Sequence, residues 1–234
     1  MFSRLLQASV RRTAQRLATW LRLSRLSPNA VTLTGLLLTV VAAVLVALDL
    51  LLPAGLVLLL AGSMDILDGA VARAGNRADR FGAFLDSTAD RYGEGAIYFG
   101  LLYLFLVRLH DTPLVFLVVA SLLGSLLVSY VRARAQSLGF ECEGGWFARP
   151  ERVVVTALGL VFAPLTMGVL TVALWILAVL TNFTAFQRIY LVFRQHRDRL
   201  RAERVPAPPA APVVEPQEPQ RPPKAKPRRD AAPS

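Results

Sequence analysis

The sequence predicts an all-α, polytopic membrane protein with six transmembrane helices and an amphipathic interfacial helix ahead of them. Of its 234 residues, 54% are hydrophobic and 18% charged, against roughly 45–50% and about 25% in soluble domains. The apolar residues gather into runs, such as residues 30–48 and 169–180, separated by short arginine clusters, which is the layout of a chain that crosses a bilayer repeatedly. A single cysteine, Cys142, and 15 Gly and 15 Pro without a period exclude a disulfide scaffold and a collagen-like repeat. The formal net charge is +10, from 26 basic and 16 acidic residues. Arginines flanking membrane spans orient a protein and meet anionic headgroups, so lipid rather than nucleic acid is the expected partner.

Residues 1–25 carry Arg4, Arg11, Arg12, Arg16, Arg22 and Arg25 beside an apolar series, Phe2, Leu6, Val10, Leu17, Trp20 and Leu21. Such a segment lies in the headgroup plane as an amphipathic helix. A secretory signal fits less well, because the next apolar run is about 20 residues long and has no small-residue cleavage site after it. Ser27, Pro28 and Asn29 punctuate the chain, and a first span follows over residues 30–48. The next spans are expected over 53–74, 80–107 and 113–135, then a short fifth over 150–164 and a sixth over 168–193. Three segments result: an interfacial helix (1–25), a six-helix domain (26–195) and a Pro/Arg-rich tail (196–234).

Six spans place both termini on one side. With the N-terminus cytoplasmic, the outward connections 49–54, 108–112 and 163–167 contain Arg108 as their only basic residue, which leaves 25 of the 26 on the inner side. The positive-inside rule therefore predicts a multi-pass cell-membrane protein with both termini cytoplasmic. From Pro206 the chain is dominated by Pro, Ala and charge and ends near Lys224, Lys226, Arg228 and Arg229. It cannot bury a core, so a disordered tail is expected, with electrostatic tethering to lipid as its alternative use.

The anomaly is acidic. Asp65, Asp68, Asp79, Asp86, Asp90 and Glu94 fall in one stretch, most of them inside predicted spans. Counting about 1.5 Å per residue, Asp65 is roughly 18 Å into the second span, and Asp86 and Asp90 are roughly 9 and 15 Å up the third. A carboxylate at such depth is costly unless paired or wet, which makes it a functional suspect. Asp65 and Asp68 are spaced i, i+3 and Asp86 and Asp90 i, i+4, so each pair shares a helix face. Four facing carboxylates repel, and two divalent cations would cancel them, with hard oxygen ligands suiting Mg²⁺ or Mn²⁺. Salt bridges, such as Asp90 with Arg91 or Arg73 with Asp86, are the competing use of these charges. The acids are expected to outnumber the arginines at their depth.

These residues spell a motif. Asp65, Asp68, Gly69, Ala72 and Arg73, then Gly82, Asp86 and Asp90, resemble at every fixed position the signature of the CDP-alcohol phosphotransferases. The resemblance implies a six-helix core, a homodimer, a polar cavity open to the cytoplasm, and displacement of CMP from a CDP-linked lipid by an acceptor hydroxyl. It further implies that Asp65, Asp68, Asp86 and Asp90 hold the metal ions, with Asp90 also the base. Gly69 would admit a ligand close to the backbone, and Arg73 would meet a nucleotide phosphate. Asn29 and Thr32 belong to a segment like the one that touches the cytidine side, and Asp79 matches another contact position. With CDP-diacylglycerol as donor, the chemistry needs neutralised phosphoryl oxygens, a stabilised leaving group and a deprotonated hydroxyl.

The acceptor is suggested by arginines. Arg132 and Arg134 end the fourth span, Arg149 and Arg152 begin the fifth, and Arg188 lies in the sixth. Planar guanidinium forks bind phosphate bidentately, so a convergence of these groups would cradle a phosphorylated acceptor. Positive-inside topology alone is the competing explanation. The stretches around Tyr130–Arg134 and Phe147–Arg152 resemble those of phosphatidylinositol phosphate synthases, which implies an inositol phosphate acceptor. Two departures stand against it: Arg132 replaces a usual lysine, and Ala148 a usual glutamate. Phosphatidylglycerophosphate synthase is the alternative, yet that family usually has proline and lysine where Ser87 and Arg91 stand here. An intramembrane prenyltransferase or a cation carrier would also use aspartates, without the Gly-x-x-Ala-Arg continuation.

Overall fold

A computed structural model of the chain describes residues 28–74, 80–142 and 147–204, with side chains for all of these except 28, 65–74 and 202–204. The predicted interfacial helix (1–25), Asp79 and the stretch from Pro206 lie outside the described residues. The elements are α1 (Pro28–Ala47), α2 (Leu51–Ala74), α3 (Arg80–Tyr103) running into a π turn (Leu104–Arg108), α4 (Thr112–Ser137), α5 (Arg149–Phe162) and α6 (Met167–Arg204). Among the described residues there is no strand.

Among the described residues, three stretches are long and apolar enough to cross a membrane: Asn29–Ala47, Thr112–Ser137 and Met167–Arg201. In α2 the apolar stretch covers Leu51–Met64 among the residues whose side chains are described. Acids and arginines interrupt α3 at Asp86, Asp90, Arg91 and Glu94, and α5 is only 14 residues long.

Local chemistry sets the helix ends. Asp111 caps α4, its carboxylate accepting from the Leu114 N–H at 3.1 Å, and Pro113 occupies the first turn where no N–H is needed. Asp49 and His110, in the turns after α1 and α3, adopt positive φ angles of 67° and 52°, a conformation in which Asp and His are over-represented. The largest boundary correction is in α6, expected to end near residue 193 but continuous to Arg204. Its last turns, rich in Arg and without Pro or Gly, have high helix propensity. The change of composition marks where the helix stops being apolar, and residues 196–204 of the expected tail are helical. Contacts divide the chain into Met1–His196, which holds the bundle, and Arg197–Ser234, which is helical through Arg204 over its described part.

Within the bundle, α1 packs on α2 and α3, α2 on α5, and α3 on α4. Helix α6 joins α4 through Ser121 Oγ, which donates to the Leu174 carbonyl at 3.3 Å, and Asn182 Nδ2, which donates to the Ala120 carbonyl at 3.0 Å. Close approach relies on absent side chains: a Cβ on Gly100 would lie 2.5 Å from the Ala43 carbonyl oxygen, and one on Gly55 would lie 2.8 Å from that of Ala157. Glycine at such crossings lets backbones touch where apolar burial alone cannot drive association. Leu101, Leu104, Phe105, Val118, Leu160 and Leu174 fill the interior. Leu37, Phe99, Phe116 and Phe186 point outward, as a lipid-facing surface requires.

Candidate active site

Arg149 and Arg152 stand in the first turn of α5. That is the unfavourable end for cations, because a helix N-terminus carries roughly half a positive charge. Helix α3 offsets the penalty. Arg149 Nη2 lies 2.8 Å from Asp90 Oδ1; Arg152 donates from Nε to Glu94 Oε1 at 2.8 Å and from Nη2 to Oε2 at 3.4 Å. Asp90 and Glu94 are one turn apart on α3 and Arg149 and Arg152 one turn apart on α5, so the pairs form successive rungs between the two helices. The side chains of Asp90, Glu94 and Arg152 are 14%, 10% and 2% exposed.

Asp90 has a second basic neighbour, Arg91, whose Nη1 is 3.7 Å from Oδ2. Arg149 and Arg152 reach in from a helix distant in sequence, and Asp90 and Glu94 are both held by arginines. Beside the rungs is a cavity of about 30 Å³ lined in part by Thr39, Glu94, Tyr98, Arg149, Arg152 and Thr156. A space of that size, with polar groups on part of an otherwise apolar wall, has room for a water molecule. Tyr98 completes this corner, its hydroxyl 3.3 Å from Ser125 Oγ on α4.

A second cluster centres on Arg188. Its guanidinium is buried, and Nη1 donates across to the Val128 carbonyl of α4 at 2.6 Å. The charges of Arg132, one turn beyond Val128, and of Arg152 both act on it. Arginines from α4, α5 and α6 thus lie close enough to act on one another, Arg152 and Arg188 buried and Arg132 exposed. Arg149 instead joins Asp90. Arg134, two residues past Arg132 and about 200° around the helix, is exposed on another face of α4.

The start of α1 also reaches the site. A Cβ on Gly82, the motif glycine in the first turn of α3, would lie 3.3 Å from Asn29 Oδ1, and Thr32 one turn on is buried. Asp65, Asp68, Gly69 and Arg73 all fall within α2. Among the described residues no group of three His, Cys, Asp or Glu side chains is gathered; Asp86 and Asp90 are the two motif carboxylates among them. Both are partly buried on α3, and paired carboxylates one turn apart are the hard oxygen donors that Mg²⁺ and Mn²⁺ take, so these residues fit such an ion.

The sequence profile of the CDP-alcohol phosphatidyltransferases matches residues 25–187. The chain belongs to this family. A phosphatidylinositol phosphate synthase of Mycobacterium tuberculosis (strain ATCC 25618 / H37Rv) is 36% identical over 174 residues, covering 72% of this chain and 80% of the relative. The crystal structure of Mycobacterium tuberculosis phosphatidylinositol phosphate synthase (PgsA1) with CDP-DAG bound matches with a TM-score of 0.72 at 34% identity, over 78% of this chain and 94% of that one. The structure of that enzyme in complex with manganese and citrate gives 0.72 at 34%, over 77% and 88%. As a CDP-alcohol phosphatidyltransferase the chain is a transferase of phospholipid metabolism, and its family is consistent with the membrane character of its apolar helices.

Sequence reasoning named Glu94 among the acids but gave it no role, and it passed over Tyr98. A readable signal existed for Glu94. Asp90 and Glu94 repeat on α3 at the spacing of one turn, as Arg149 and Arg152 do on α5, and two matched spacings of opposite sign suggest a pair of rungs.

Proposed function

We propose that this family member transfers the phosphatidyl group of CDP-diacylglycerol to a hydroxyl of an inositol phosphate, 1D-myo-inositol 3-phosphate, giving phosphatidylinositol phosphate and CMP. The observation that carries it is the convergence of Arg132, Arg152 and Arg188 from three helices within reach of the Asp90 carboxylate's helix. A phosphate monoester carries about −1.5 to −2 charges at neutral pH, which matches a cluster whose cations outnumber Glu94. The name and the donor-bound and manganese-bound structures of the M. tuberculosis relative support the same assignment.

In this reading Asp65, Asp68, Asp86 and Asp90 would hold two Mg²⁺ or Mn²⁺ ions, which would supply charge neutralisation for the pyrophosphate and for the CMP leaving group. Asn29, Thr32, Gly69, Arg73 and Asp79 position the CDP-lipid. Asp90 takes the proton of the acceptor hydroxyl, which then attacks the lipid-side phosphorus in line. Arg132, Arg149, Arg152 and Arg188 orient the acceptor phosphate, with Arg149 leaving its pairing with Asp90 to do so, and Arg134 acts at the exposed rim. On the same reading the enzyme is a six-span homodimer of the cell membrane with its site facing the cytoplasm.

The test is CMP release in detergent from CDP-diacylglycerol with inositol phosphate or with free myo-inositol. Chelation by EDTA should abolish release, and added Mn²⁺ or Mg²⁺ should restore it. Free inositol leaves the buried guanidinium groups without their anion, so its kcat/KM should be lower by about 10²-fold or more. Comparable rates with the two acceptors would contradict the phosphate reading.

A further inference from the structure

We propose that Glu94 is a positioning residue of the acceptor subsite, fixing Arg152 beside Arg188 and Arg132. The proposal rests on the reading of those arginines as phosphate ligands. Arg152 has five N–H donors in a rigid plane. Glu94 takes the Nε and Nη2 edge of that plane with both carboxylate oxygens, a side-on grip that sets the guanidinium's orientation as well as its place. Nη1 is left as the uncommitted end, buried and with no hydrogen-bond partner among the described residues.

The grip also balances charge. Arg188 feels both Arg132 and Arg152; Arg132 is exposed, but Arg152 and Arg188 are both buried, so water screens the repulsion between those two poorly. Glu94 cancels one of these three cations, leaving a surplus suited to one phosphate monoester. Without Glu94 the guanidinium of Arg152 would lose its fixed plane and Arg188 would face an unneutralised neighbour. Both changes weaken binding of the acceptor and leave the CDP-lipid contacts alone. A carboxylate that only pinned α3 to α5 would act on both substrates.

Glu94→Gln tests the assignment, because glutamine keeps the shape and an acceptor oxygen while removing the charge. With L-myo-inositol 1-phosphate as the probe, its KM should rise about tenfold, the loss expected for one charge-assisted hydrogen bond. The KM for CDP-diacylglycerol and kcat should stay within about twofold, and Glu94→Asp should recover part of the loss. Breaking a buried pair from one side can impair folding, so the double variant Glu94→Gln/Arg152→Gln, neutral on both sides, is the companion. Its acceptor KM should match that of Arg152→Gln alone, since the two residues act through one contact. Equal rises in both KM values, or additive effects in the double variant, would overturn the proposal. Arg188→Ala in the same assay separates the two layers: a raised acceptor KM there with none in Glu94→Gln removes the role of Glu94 only, whereas no change in either removes the phosphate subsite itself.

Discussion

Asp90→Asn is expected to lower kcat for CMP release by about 10³-fold, in the range that a lost general base produces. Asparagine preserves the side-chain volume and an acceptor oxygen for Arg149, now 2.8 Å away, so the rung between α3 and α5 can persist while the ability to take a proton is gone. Binding of the CDP-lipid should be largely retained, because Asp90 is one of four carboxylates assigned to the ions and the nucleotide contacts are assigned to other residues. Stopped turnover with preserved nucleotide affinity, measured by titration of CDP-diacylglycerol against the purified variant, is the expected pattern. Unchanged CMP release would refute Asp90 as the base. A carrier or channel that merely bound cations with these aspartates would give no CMP in either form.

Arg188→Ala should act on the other substrate. The guanidinium is buried and anchored to α4 through the Val128 carbonyl, so its orientation is set before any ligand arrives and little entropy is lost on binding. Removing a charged donor from such a position costs about 1.5–3 kcal/mol, equivalent to roughly 10- to 10²-fold in the acceptor KM. The KM for CDP-diacylglycerol should move much less. Arg134→Ala is the internal comparison: exposed on another face of α4, it should change the acceptor KM by about twofold at most, as surface charges screened by water do. An acceptor KM indifferent to Arg188 would reject the cradle.

The parts of this fold that repeat locally were legible in the sequence. Helices α1 and α4 begin at prolines and run through unbroken apolar stretches, so the expected bounds of 30–48 and 113–135 sit within about two residues of Pro28–Ala47 and Thr112–Ser137. The spacing of Asp86 and Asp90 was equally plain, since helical periodicity alone puts them on one face. What joins residues far apart in sequence was not. Arg152 meets Glu94 across 58 residues, and no periodicity says which helix α5 will lie against or how far two arginine side chains will reach. That is why Asp90 and Glu94 looked short of basic partners and are in fact held by them. Arg132 and Arg134 sit on different faces of α4, because a step of two residues turns the side chain about 200° around the helix. The end of α6 was misplaced because a change from apolar to charged composition was read as a change from helix to coil.

The central claim, a phosphorylated inositol as acceptor, is tested most directly by one competition. Purified protein in detergent, with CDP-diacylglycerol and Mn²⁺, is offered equal concentrations of L-myo-inositol 1-phosphate and glycerol 3-phosphate, and the lipid products are identified by mass. Phosphatidylinositol phosphate as the dominant product, in excess by about 10²-fold as hydrogen-bond discrimination allows, is the predicted result. Phosphatidylglycerophosphate in equal or greater amount would contradict it.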